Sequence, residues 1–198
     1  MKKIFILCLA ACMLFLVACG SATNEPTAKP TEPTAPSVDP DNLVEKDPVA
    51  GDFTWKVEGD TLTLSGTGSM PNYTEEEPAP WSTESENVKK VVIEEGLTSI
   101  GEHALAHMSK IEDVTIPGSV KVICTEAFSF AISLYEITIP SGVQAIEKGA
   151  FSGCLKLAKV NFSVDTGWYK GDKEQDVSDP LANASALTKK VGFYLYRK

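Results

Sequence analysis

The chain has 198 residues, 43% of them hydrophobic, and 18 Lys and Arg stand against 27 Asp and Glu for a formal net charge of −9. An acidic surface disfavours nucleic acid and an anionic bilayer as direct partners. Residues 51–198 are enough for one domain.

Residues 1–18 read as a targeting segment. Lys2 and Lys3 give a positive start, Ile4 to Val17 is an uncharged apolar run, and the run ends in Leu16-Val17-Ala18-Cys19. This is the order of parts of a signal peptide, and the run is short for a spanning helix. A Cys stands where the cut should fall. The four residues resemble the lipobox of bacterial lipoproteins. The resemblance implies that the Cys19 thiol takes a diacylglyceryl group and becomes the first residue of an exported chain, held to the cell membrane on its extracellular face. Two or three acyl chains on one Cys suffice for stable anchoring, whereas one does not. Removing Lys2 and Lys3 from the 18 basic residues leaves 16 against 27 acidic ones.

Residues 19–50 are the lipidated Cys and a Pro/Thr-rich linker. Pro26, Pro30, Pro33, Pro36, Pro40 and Pro48 are half of the chain's 12 prolines. Apolar residues are too few to offset the entropy of ordering, so disorder with polyproline II bias is expected. Extended, the stretch would reach on the order of 90 Å and hold the folded part away from the lipid. Residues 51–87 follow as an N-terminal β segment. Phe53, Trp55 and Val57 alternate, Gly59-Asp60 turns, and Leu62 and Leu64 alternate again, which is a hairpin signal.

Residues 88–163 repeat with a period of 23. Val88, Ile111, Leu134 and Leu157 hold one register; so do Val91, Val114, Ile137 and Val160, and Ile93, Ile116, Ile139 and Phe162. Further apolar positions recur as Leu97, Val120 and Val143; Ile100, Ile123 and Ile146; Ala104, Ala127 and Ala150; Leu105, Phe128 and Phe151; and Met108, Ala131 and Cys154. A fixed period of this size reads as a repeat solenoid. Each unit opens with an alternating strand such as Val114-Thr115-Ile116, broken by Pro117 or Pro140. A second extended piece follows, and the Ala-Phe pair is expected in a short helical turn whose ring fills the core. One unit cannot bury this face alone, and stacking does. The stack needs covers at both ends, which assigns the hairpin as N-terminal cap and residues 164–198 as C-terminal cap, with Val191, Phe193 and Leu195 alternating like a strand.

Ile116-Pro117, Ile139-Pro140, Ala127-Phe128 and Ala150-Phe151-Ser152-Gly153-Cys154 resemble the BspA-like class of bacterial surface leucine-rich repeats. Upstream, Trp55, Leu62 to Gly68, Met70-Pro71 and Pro80-Trp81 look like the segment that precedes such repeats. Downstream, Gly167-Trp168-Tyr169 and Val191 to Lys198 look like its C-terminal segment. The resemblance implies a leucine-rich-repeat-like fold and a non-catalytic, lipid-anchored module for protein binding or adhesion at the cell surface. The alternative is a structural or assembly lipoprotein subunit of an envelope complex. Cys124 and Glu147 depart from the class, which usually has Gly there; Gly101 keeps it.

Few constellations point to chemistry. Cys124 and Cys154 stand at different positions of their units, too far apart for a bridge. His103 and His107 are four apart, but no Cys lies at ligand spacing and the HExxH order fails, so no metal is expected. Glu75-Glu76-Glu77 and residues 172–179 lack the pattern of a Ca²⁺ loop and read as solvated loops. No nucleophile elbow or phosphate loop occurs, so no enzyme and no cofactor are expected. Two surfaces remain as candidates. The outward strand face carries Lys90, Asp113, Glu136 and Lys159 in one row and Thr115 and Thr138 in the next, with each acid beside a base. Phe130, Ile132 and Leu155 form a candidate apolar patch outside the core series, which residues 164–198 could instead cover. The partner is a protein or cell-surface ligand in either case.

Overall fold

The computed structural model describes residues 51–189 and 195–197. The signal segment, Cys19, the linker to residue 50, and Val191 and Phe193 of the closing strand lie outside them.

Strands β1 (Gly51–Glu58) and β2 (Thr61–Ser69) form the expected antiparallel hairpin, with Glu58 opposite Thr61. The connection is two residues long, and Gly59 takes the left-handed conformation (φ +62°) that such a turn requires. Leu62 and Leu64 are fully buried on one face of β2. A short 3₁₀ turn over Pro80–Glu84 then buries Trp81. Trp81 packs against Phe53, Trp55 and Tyr73 with ring centroids 5.4–6.0 Å apart.

The first strands are β3 (Lys90–Ile93), β5 (Asp113–Thr115), β7 (Glu136–Ile139) and β9 (Lys159–Phe162). β2, β3 and β5 pair in parallel, and so do β7 and β9; no ladder pair joins β5 to β7. The second strands β4 (Leu97–Ile100), β6 (Val122–Ile123) and β8 (Ala145–Ile146) pair in parallel, and β4 also pairs in parallel with the end of β2. Between successive strands the partners lie 23 residues apart: Lys90 with Asp113, Glu136 with Lys159, Ser99 with Val122, Val122 with Ala145. Residues of the same series are therefore stacked, and their side chains meet in one core. Apart from Ile116 and Phe162, which pack half-buried against it, every member of the eight apolar series is at most 8% exposed. Each large side chain so removed from water contributes roughly 1.5–3 kcal/mol before chain entropy is subtracted.

The Ala-Phe segments depart from the expected helical turn. They are consecutive tight turns in which His103, His107, Glu126 and Phe130 adopt φ between +52° and +60°, as Gly149 (+68°) and Gly153 (+72°) do in the third level. A right-handed helix tolerates no such residues. The physical reason lies in the hydrogen bonds. The amides of His103, Leu105 and His107 donate to the carbonyls of Thr125, Ala127 and Ser129 (3.3, 2.8 and 2.8 Å), and those of Glu126, Phe128 and Phe130 to Lys148, Ala150 and Ser152 (3.2, 2.8 and 2.8 Å). A helix would spend those donors within one level; the turns spend them on the next level, which binds the levels together.

After β9 come β10 (Trp168–Lys170), β11 (Lys173–Glu174), helix α1 (Pro180–Leu187) and β12 (Leu195–Arg197). β12 lies antiparallel to β8 and carries β10 and β11 beyond it. The helix was not expected from the sequence. Asp179 caps it by accepting the amides of Leu181 and Ala182, and Pro180 occupies its first turn. It packs on β9, and the buried Asn183 amide donates to the carbonyls of Val160 and Val177 at 3.0 and 2.8 Å. That contact satisfies an edge carbonyl of the last first strand.

Candidate binding surfaces

The strand face is built by side-chain alternation: Val91, Val114, Ile137 and Val160 point inward, so their neighbours point out. Lys90 Nζ lies 3.5 Å from Asp113 Oδ2, and Lys159 Nζ lies 3.8 Å from Glu136 Oε2. Asn161 adds a hydrogen bond from Nδ2 to Glu136 Oε1 at 2.7 Å. Thr115 and Thr138 are exposed beside these pairs. The row is thus neutralised two by two, one pair on β3/β5 and one on β7/β9, and the break between β5 and β7 falls between Asp113 and Glu136. Exposed pairs of this kind contribute on the order of 0–1 kcal/mol, so they shape the face more than they stabilise it.

The three apolar candidates differ in exposure. Leu155 is 79% exposed, while Ile132 and Phe130 are half-buried. Phe130 stacks on the exposed His107, with centroids 4.9 Å apart and planes 10° from parallel. Its ring also lies against Gly153, where a Cβ would meet it at 2.7 Å. His107, Phe130 and Gly153 occupy one position in three levels, so the ring fills the space that a larger residue at Gly153 would need. The C-terminal helix packs on β9 and leaves Leu155 in solvent.

His103 is half-buried with Nδ1 4.0 Å from Glu126 Oε2. Among the described residues no group of three or more His, Cys, Asp or Glu is placed to hold a metal ion. Cys124 and Cys154 are both free and buried. The Cys154 thiol donates to the Phe128 carbonyl at 3.0 Å, and burial pushes its pKa up to about 12. The acidic runs serve turns. Glu77 and Thr74 close one through Thr74 Oγ1 (3.0 Å) and the Glu77 carbonyl (3.1 Å). Asp176 accepts from the Ser178 hydroxyl and amide, which lower its pKa. No helix among the described residues is long and apolar enough to cross a membrane.

The family model described as BspA type Leucine rich repeat region (6 copies) matches residues 83–167. Among solved structures, a leucine-rich repeat protein from Eubacterium ventriosum is 21% identical with a TM-score of 0.39, covering 66% of this chain and 47% of that one. One from Bacteroides capillosus is 22% identical with a TM-score of 0.39, covering 61% and 100%. The T. pallidum Leucine Rich Repeat protein is 21% identical with a TM-score of 0.38, covering 56% and 62%. The chain therefore spans about half the length of the Eubacterium ventriosum protein. No curated protein matches it. The family match carries the similarity: residues 83–167 are similar to the BspA-type leucine-rich repeat family.

Proposed function

We propose that the chain is an exported, non-catalytic surface module that binds a protein partner and is tethered by a lipid on Cys19. In this reading residues 1–18 are removed, residues 19–50 act as spacer, residues 88–163 form a solenoid of 23-residue units, and residues 51–87 and 164–198 cap its two ends. The strand face carries the binding. The single observation that supports this is its charge arrangement: Lys90 with Asp113 and Lys159 with Glu136 leave a neutral surface presenting Thr115 and Thr138. Pairing makes such a face less costly to desolvate than lone charges would be, and solenoids use extended strand surfaces for partners. The test is a double substitution, Thr115→Arg with Thr138→Arg, in the full chain displayed on cells. The reading expects loss of partner capture with unchanged circular dichroism; unchanged capture would sink it.

A second reading, an assembly subunit of an envelope complex, is favoured by the 79% exposure of Leu155 beside Ile132 and Phe130. It expects Leu155→Ser to abolish co-purification with a stoichiometric partner while the Thr115/Thr138 variant retains it.

A further inference from the structure

A cavity of about 300 Å³ lies between the 74–82 segment and the first level of tight turns. Its walls are apolar at Ala79, Ala104 and Met108, and Glu75, Ala106 and His107 line it as well. It sits at the acceptor end of the turn ladder. Within the stack, each level's carbonyls receive amides from the level above; the first level has no repeat above it. There the Tyr73 amide reaches the Glu102 carbonyl at 2.9 Å and the Trp81 indole N–H reaches the Ala104 carbonyl at 2.8 Å. The next carbonyl in the row, that of Ala106, has no donor among the described residues.

We propose that this cavity takes a guanidinium-tipped side chain, an arginine presented by a protein partner. The apolar walls suit its methylene stem. The carboxylate of Glu75 and the carbonyl of Ala106 offer acceptors for its five N–H donors. His107 lines the cavity and its ring is stacked on Phe130, so a planar cation on its free face would extend an existing stack. A lysine ammonium satisfies the charge but not the plane, and a neutral isostere satisfies the plane but not the charge. The site adjoins the apolar patch through Phe130, lies apart from the strand face, and does not depend on either being used.

The test uses N-acetyl-arginine amide as probe, titrated into the full chain in detergent and followed by the imidazole proton resonances. The chain has only two His, so both signals are assignable. A saturable shift of the His107 signal is expected, with the lysine and citrulline analogues binding at least about fivefold more weakly, and Glu75→Gln weakening the arginine probe by about fivefold or more. His107→Asn, which keeps a residue tolerant of the left-handed backbone, should also weaken it. A linear shift without saturation, equal binding of citrulline, equal binding of lysine, or an unchanged Glu75→Gln affinity would each overturn the proposal.

Discussion

Gly101 and Gly118 form a matched pair for testing how the stack is joined to the segment before it. Neither has a positive φ, so an alanine is not strained at either site by backbone conformation. They differ in what a Cβ would meet. At Gly118 the nearest atom is the flexible Glu95 Oε1 at 3.7 Å, while at Gly101 it is the Pro71 carbonyl oxygen at 2.0 Å, with the Pro71 carbonyl carbon at 2.8 Å. Real Cβ atoms do not come within 3.0 Å of such neighbours, so Gly101→Ala must push the Pro71 backbone away by about 1 Å. That motion strains the bond from the Glu102 amide to Asn72 Oδ1 (2.9 Å) and the bond from the Tyr73 amide to the Glu102 carbonyl (2.9 Å). Each is worth a net 0.5–1.5 kcal/mol at about typical values, and overpacking adds about 1–3 kcal/mol more. The expected cost is therefore about 2–6 kcal/mol for Gly101→Ala, against a change within about 0.5 kcal/mol for Gly118→Ala. Urea unfolding of both variants, read by tryptophan fluorescence, measures this from midpoints at constant m-value. Equal stability of the two variants would refute the reasoning.

Phe151 is fully buried and stacks on Phe128 with centroids 5.1 Å apart, so Phe151→Ala should cost about 3–5 kcal/mol by urea unfolding. Trp81→Phe strands the Ala104 carbonyl that its indole N–H satisfies and should cost about 1–3 kcal/mol. Burial raises the Cys154 thiol from 9.0 to about 12, so the folded state holds that proton more tightly than the unfolded state. Its contribution is full below pH 9.0 and is lost as pH rises toward about 12; a thiol reagent at pH 8 should label Cys154 only after denaturant is added. Leu155→Ser, at a solvated position, should leave stability within about 0.5 kcal/mol of the parent.

Much of the core was legible because burial in a stack imposes one period on many positions at once. The sites from Val88 to Phe162 announce themselves without any knowledge of hydrogen bonding. The turns were not legible, because left-handed conformation at His103, His107, Glu126 and Phe130 is carried by non-glycine residues, which give no local signal. Comparing levels would have found it: Gly149 and Gly153 stand at the same positions. Gly101 keeps the glycine usual for the class, yet the reason for it at this level, the passage of Pro71 beside it, needs the structure. Cys124 and Glu147 are tolerated at the same position one and two levels on, where Thr125 even uses Glu147, its amide donating at 2.8 Å and its hydroxyl at 3.0 Å. The α1 helix is not legible although its cap is, because Asp179-Pro180 sits in a stretch without a helical apolar period. For the strand face, alternation alone puts Lys90, Asp113, Glu136 and Lys159 outside, but no residue pattern marks the missing ladder pairs between β5 and β7.

The central claim is that the outward strand face meets a protein partner at the cell surface. Photo-crosslinking in intact cells tests it most directly, with the reactive group at Thr138 on the face and, as control, at the exposed Thr83 on the 3₁₀ turn. The account predicts one discrete adduct from Thr138 and none of the same size from Thr83. Adducts of equal yield from both positions, or none from Thr138, would contradict it.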